Sequence, residues 1–201
     1  MAHIPDGVLS IPVLLAGATV AAAGVAWGLR RLEPARIPQV AVLSAVFFVA
    51  SLVHLPVGPS SVHLMLNGLM GIALGAAVFP AILVALALQA VLFGFGGLLV
   101  LGVNLINMAV PAVLAGLLYR RLASGEPRRD SLLGGALSAG AVLLTGLMVA
   151  GALALSGSEF AAAARLVVLT CLPVAVVEAV FTAAAVGLMA RVRPGMLAAG
   201  G

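Results

Sequence analysis

Apolar residues fall into seven long runs along this chain, parted by short breaks rich in arginine, proline, glycine or serine. After an arm over 1–10, the pattern predicts helices over about 11–29, 39–53, 63–79, 80–97, 104–119, 132–155 and 165–190. The boundaries have local reasons. Arg30, Arg31 and Arg36 close the first run, and Pro34 and Pro38 stop it from continuing. The segment from His54 to His63 holds Pro56, Gly58 and Pro59 and reads as turns. Pro80 can open the fourth helix, because a proline at a helix start lacks only an N–H that has no partner there. Phe93 to Gly97 contains Gly94, Gly96 and Gly97 and is expected to be irregular. The most polar stretch runs from Arg120 to Asp130, and Ser156, Ser158 and Glu159 separate the last two runs.

Composition turns these runs into membrane spans. Hydrophobic residues make up 64% of the chain and charged residues 8%, against roughly 45–50% and ~25% in a soluble domain. Such a chain can sit in lipid, where about 20 apolar residues cross the hydrocarbon layer. The expectation is an all-α, multi-pass protein of the cell membrane, one integral domain over 1–201 with no fused accessory domain. The N-terminus lacks the basic region and cleavage site of a secretory signal.

Charge sets the orientation. All ten basic residues are arginines, scattered in short loops, so the pI near 11.1 reads as topology rather than as a nucleic-acid stripe. Basic clusters follow the first, fifth and seventh runs. Every arginine except Arg165 then falls on one side, which the positive-inside rule makes cytoplasmic. The N-terminus and the His54–His63 loop are outside and the C-terminus is inside. Trp27 and Tyr119 precede arginine pairs, as interfacial aromatics do. Cys171 lies in an apolar run and reads as packing. The chain has no lysine and so no phosphate-binding loop ending in lysine; ATP hydrolysis belongs elsewhere.

On this topology the three histidines, His3, His54 and His63, share the outer side. Each could simply bond loop carbonyls and water. His3 differs because the amino terminus is beside it. With Met1 retained, the amine, two amides and the imidazole can fill a square plane. With Met1 removed, the Ala2 amine, the His3 amide and its imidazole give three nitrogens, and His63 or His54 can give a fourth. Planar nitrogen sets suit Ni(II) or Cu(II), and imidazole suits cobalt and zinc as well. Binding would release protons. Pro5 and Gly7 let the arm turn back into the bundle.

The stretch His3-Ile4-Pro5-Asp6-Gly7 resembles the start of the nickel/cobalt-specific substrate-binding (S) components of energy-coupling factor transporters, the CbiM/NikM family. The resemblance continues in Gly58 to His63, Leu66 to Gly71, Gln89-Ala90, Gly96-Gly97, Leu101 to Asn104 and Asn107-Met108. It covers the N-terminus and central third by motif and the last two spans by hydropathy. It implies an S-component bundle with an extra N-terminal helix. It also implies a metal held by the processed amine of Ala2, by His3 and by His63, with Ni2+ or Co2+ as cargo and no organic cofactor. A membrane T subunit and two ATPase subunits are the implied partners, and a small accessory membrane subunit is a further candidate. This chain departs from the family in the inserted Ala2, which replaces the family's methionine if Met1 is cleaved. Phe95 also stands where many members have histidine. His54 takes no family ligand role.

Other polar groups sit in apolar runs. Asn67, Gln89, Asn104 and Asn107 are each helix–helix glue or support for the ligands; Asn104, just after the glycine segment, leans toward support. Glu178, mid-span and nearer the inner half than the ligands, is a candidate for coupling or structure. Small residues at fourfold spacing (Ala18, Ala22 and Ala26; Gly24 and Gly28; Ala41 and Ala45; Gly71 and Gly75) allow close helix packing, internal or with a partner. Two other readings are weaker. An intramembrane enzyme using Glu178 and a histidine has no HExxH motif, and an S component for a flat vitamin has few stacking surfaces at 4% aromatic content.

Overall fold

A computed structural model describes residues 3–52, 54–57 and 60–192, with 54–57 and 60–63 described by backbone alone. Its helices are α1 (Ile11–Arg30), α2 (Ile37–Ala50), α3 (Asn67–Leu74), α4 (Val78–Phe93), α5 (Leu101–Leu122), α6 (Pro127–Ser156) and α7 (Ala161–Val192). Five helical stretches are long and apolar enough to cross a membrane: α1, the continuous Asn67–Phe93, α5, α6, and α7 with its leading turn. α2 with the turn before it, Pro34–Ala50, is apolar but shorter. Large apolar side chains such as Leu15, Val20, Leu166, Val176 and Val180 are exposed on the outside of the bundle, where lipid tails would meet them.

The expected third and fourth helices are redrawn. The third does not begin at His63. Residues His54–Val57 (β1) and Ser60–His63 (β2) pair antiparallel, with His54 opposite His63. Proline removes the N–H a helix needs, and Pro56 lies within β1. α3 then runs for only 8 residues, about 12 Å of helix. It ends at Gly75, whose φ of 57° is a conformation that side chains disfavour. A 3-10 turn, Gly75–Ala77, leads into α4. Pro80 lies in the first turn of α4, and the helix stops at Phe93 rather than at 97. The other expected helices are each present with ends shifted by a few residues.

Touching residues give the helix directions. Gly17 of α1 meets Val103 of α5, and Trp27 and Arg31 share a cleft with Leu117 and Arg120, so α1 and α5 run together. α3 runs with α5: Asn67 reaches the Met108 carbonyl and Gly71 meets Ala112. α4 opposes α1, because Gly24 faces Phe79 and Gly28 faces Ala76. α2 runs with α4 through Ser44 to the Ala81 carbonyl (2.8 Å) and Gln89 to Ser51. α7 opposes α6, with Gly135 at Ala183 and Gly146 at Cys171. The chain therefore reverses between α3 and α4 although the helical stretch is nearly unbroken.

Close crossings use small residues. A Cβ on Gly71 would fall on the Ala112 carbonyl, and one on Gly116 would fall on that of Gly71. α3 and α5 thus touch backbone to backbone, as small residues permit between membrane helices. Gly24 and Gly28 serve α1 in the same way, whereas Ala22 and Ala26 remain exposed. At the start of α6, Asp130 accepts from the Ser124 N–H (2.8 Å) and the Gly125 N–H (2.8 Å), which closes the link from α5.

Candidate metal-capture site

The arm threads back against the bundle. Pro5 forbids regular helix and the arm carries few groups that can pair among themselves, so its amides and carbonyls need outside partners. Asn104, in the first turn of α5, supplies two at once. The Ile4 N–H donates to Asn104 Oδ1 (3.1 Å) and Asn104 Nδ2 donates to the Ile4 carbonyl (3.1 Å). His3 precedes this bracket and is buried, 8% exposed. The glycine loop lies over it: a Cβ at Gly96 would stand 3.7 Å from His3 Cβ and 3.0 Å from Asn104 Nδ2.

Asp6 continues the docking. Its N–H donates to the Gly96 carbonyl (3.2 Å), and its Oδ1 accepts the Val100 N–H (3.0 Å). Val100 caps α5, so the carboxylate sits where the helix dipole favours negative charge. A side chain at Gly97 would overlap that carboxylate. Farther along, the Ser10 N–H donates to Ser156 Oγ at the end of α6 (3.2 Å). Ile4 and Leu9 pack with Val100, Val103, Val149 and Leu153. Sequence reasoning gave Asp6 no role of its own. The available signal was a carboxylate isolated in an arm with no other acidic residue.

A second tether holds the chain just after β2. Glu178 of α7 is fully buried, and its Oε1 accepts from the Met65 N–H and from the Leu66 N–H (2.8 Å). Among the described residues Leu66 is the non-glycine residue with positive φ, 49°, a sparsely allowed conformation that costs about 1–3 kcal/mol and persists only where the surroundings fix it. In the fold Glu178 thus binds the backbone two and three residues beyond His63. Asn67, at the next position, donates to Thr145 Oγ1 (2.9 Å) and to the Met108 carbonyl (3.3 Å). Thr182 and Ser138 join α7 to α6 beside it (2.9 Å).

The predicted residues thus separate. Asn104 adjoins His3, and Glu178 and Asn67 adjoin the exit of β2. Gln89 lies elsewhere, bonded to Ser51 of α2 (2.6 Å). Asn107 is buried, with an amide nitrogen that has no acceptor among the described residues. Ala2 lies outside the described residues, and the His63 side chain does as well. Among the described residues, no three side chains of His, Cys, Asp or Glu come together as a metal cage. Any site here must draw on backbone or terminal nitrogens, or on groups beyond that description.

Known proteins match this arrangement over nearly its whole length. A family model described as "CbiM: Cobalt uptake substrate-specific transmembrane region" matches residues 3–196. A "Putative metal transport protein" of Haemophilus influenzae is 55% identical over 141 residues, 70% of this chain and 68% of that protein. The "Fused nickel transport protein NikMN" of Rhodobacter capsulatus is 40% identical over 69% of this chain but only 43% of its own length. The "Cobalt transport protein CbiM" of Geobacter sulfurreducens is 33% identical over 98% of this chain and 61% of its own. A crystal structure titled as a transition metal transporter superposes with a TM-score of 0.74 at 25% identity, covering 94% of this chain and 93% of that one. These relatives are transport components, which sets aside an intramembrane enzyme built on Glu178. The chain belongs to the CbiM family, the cobalt uptake substrate-specific transmembrane region, and is a multi-pass component of a membrane metal-uptake system.

Proposed function

We propose that the chain captures Ni2+ or Co2+ outside the cell as the S component of an energy-coupling factor importer. The ion is the cargo. Its ligands are the amine of Ala2 once Met1 is removed, the amide and imidazole nitrogens of His3, and the imidazole of His63. The observation that carries this reading is the docking of the arm: Asn104 brackets Ile4 on both backbone groups and buries His3 beside it. A chelating terminus is useful only if its nitrogens are held in one geometry, since pre-ordering lowers the entropy cost of binding. Asn67 and Glu178 serve His63 in the same sense by fixing the chain that follows it.

Seven crossings fit this reading, with the hairpin and the half-length α3 together making the third. Support comes from the alternating helix directions and from the clustering of Arg31, Arg36 and Arg120 at one end. That end is cytoplasmic by the positive-inside rule and the arm is outside. Transport needs a T subunit and two ATPase subunits, because the chain lacks the lysine of an ATP-binding loop. The names of the relatives above, nickel for one and cobalt for another, support both ions as cargo.

The test is metal bound per purified protein, by equilibrium dialysis, for the unmodified chain, an N-terminally acetylated form and His63→Ala. Both altered forms should lose affinity for Ni2+ or Co2+, and intact mass should show Met1 absent. Unchanged stoichiometry and affinity in both would sink the site.

A further inference from the structure

Three guanidinium groups meet at the end of the bundle away from the arm. Arg31 follows α1, Arg36 lies in the 3-10 turn before α2, and Arg120 is in the last turn of α5. They line one cleft of about 160 Å³ with Trp27, Leu117 and the α3–α4 reversal. Arginines near helix C-termini can simply cap carbonyls, and Arg36 does so in part, donating from Nη2 to the Ala73 carbonyl (3.0 Å). Capping does not use up the cluster. Arg36 Nε and Arg120 Nη1 are buried and have no acceptor among the described residues. Arg36 and Arg120 both line the cleft, and among the described residues no acidic side chain does. Buried donors of one charge without acceptors are costly unless an anion joins them.

We propose that this cleft binds the phosphate of an anionic phospholipid. Guanidinium forks match phosphate oxygens in pairs, and basic pockets between helices at the inner face of a membrane take lipid headgroups. The rim argues for lipid over free phosphate. Trp27 and Leu117 are 40% and 41% exposed at the cleft mouth, an apolar border on which acyl chains can lie. Trp27 is also steadied edge-on against Phe79 at 6.2 Å, as suits an interfacial ring.

Trp27 is the single tryptophan of the chain, so the unaltered protein reports on the site. Reconstitute it in phosphatidylcholine vesicles and titrate in phosphatidylglycerol with brominated acyl chains, with brominated phosphatidylcholine as the reference. Each arginine near an anionic headgroup is worth about a fivefold preference. Half-maximal quenching of Trp27 should therefore need at least about fivefold less phosphatidylglycerol than phosphatidylcholine. Arg36→Gln and Arg120→Gln should each bring the two curves together, while Arg191→Gln, on another helix, should not. Superimposed curves in the unaltered protein would overturn the proposal and leave the cleft to an acidic side chain of a partner. Loss of the preference on adding saturating inorganic phosphate, but not the same ionic strength of chloride, would also overturn it in favour of the free anion. Because the decisive comparison uses the unaltered chain, an arginine variant that fails to fold does not blunt it.

Discussion

Two short irregular segments, the arm over 3–10 and the stretch 64–66 after β2, are held in the bundle by different means. The arm is bracketed by a neutral amide that both gives and accepts, Asn104, and is pinned again by Asp6 and Ser10 at intervals. In the second segment one oxygen of the Glu178 carboxylate accepts from two successive amides, while Leu66 stands at positive φ. The first design spreads its load and stores no backbone strain at the bracket. The second puts two adjacent amide bonds and a strained residue on one side chain of α7. The arm carries His3 and the second segment follows His63, so under the proposed metal site the difference has a functional side. On that proposal His3 is held by the docked arm, and the chain after His63 is the part a rearrangement of α7 can release.

The largest effect should come from the concentrated tether. Glu178→Ala leaves the Met65 and Leu66 amides buried without acceptors, at about 1–3 kcal/mol each, and the strained Leu66 loses what fixes it. Thermal unfolding in detergent should fall sharply, and Ni2+ or Co2+ binding with it. Glu178→Gln keeps an acceptor oxygen and should recover most of the stability. A glutamine variant as unstable as the alanine one would mean that charge rather than acceptance holds the segment.

Asn104→Ala should rank next. It strips the Ile4 amide and carbonyl of their partners, but the arm can swing out and rehydrate, so the loss is roughly 1–3 kcal/mol rather than the sum for two buried groups. Hydrogen exchange at Ile4 and Asp6 should speed up while α5 stays protected, and metal affinity should fall more than thermal stability. Equal loss of both would make Asn104 a core residue and erase the contrast with Glu178.

What the sequence revealed follows the same division. The long helices α5, α6 and α7 were legible because each is an unbroken apolar run bounded by arginine or serine. The break between α3 and α4 was expected at Pro80 rather than at Gly75, since both helices are buried and hydropathy runs straight through the turn. Asn104 could be singled out by its place after the glycines, although nothing in its spacing pointed to Ile4 as its partner. Glu178 stood out as an intramembrane carboxylate. Its partners were not legible because the residues after His63 read as ordinary helix, whereas they enter α3 through a left-handed Leu66 held by that carboxylate.

Gly97→Ala tests the second pin of the arm. A Cβ there would overlap the Asp6 carboxylate, so Asp6 must leave the Val100 amide, at a cost of about 1–2 kcal/mol. The same change in an Asp6→Ala background should keep only the backbone cost of a side chain at a φ of 153°, and the non-additivity in thermal unfolding measures the contact. Additive losses would place the cost in the glycine loop itself.

The smallest effect, Ser156→Ala, decides whether the arm's load is evenly spread. The Ser10 amide is only partly buried and reaches Ser156 at 3.2 Å, so water can replace the hydroxyl and the loss should be about 0.5–1 kcal/mol. Ser156 Oγ also returns its proton to the Ala152 carbonyl (2.9 Å) within α6, and removing it costs the helix little, since such back-bonding is neutral to slightly unfavourable. Exchange at Ile4 should therefore stay slow while exchange at Ser10 rises, which separates the end of the arm that leads into α1 from the end beside His3. If Ser156→Ala instead frees Ile4 as much as Asn104→Ala does, the arm moves as one unit. The bracket at Asn104 is then a consequence of docking at Ser10 rather than its cause.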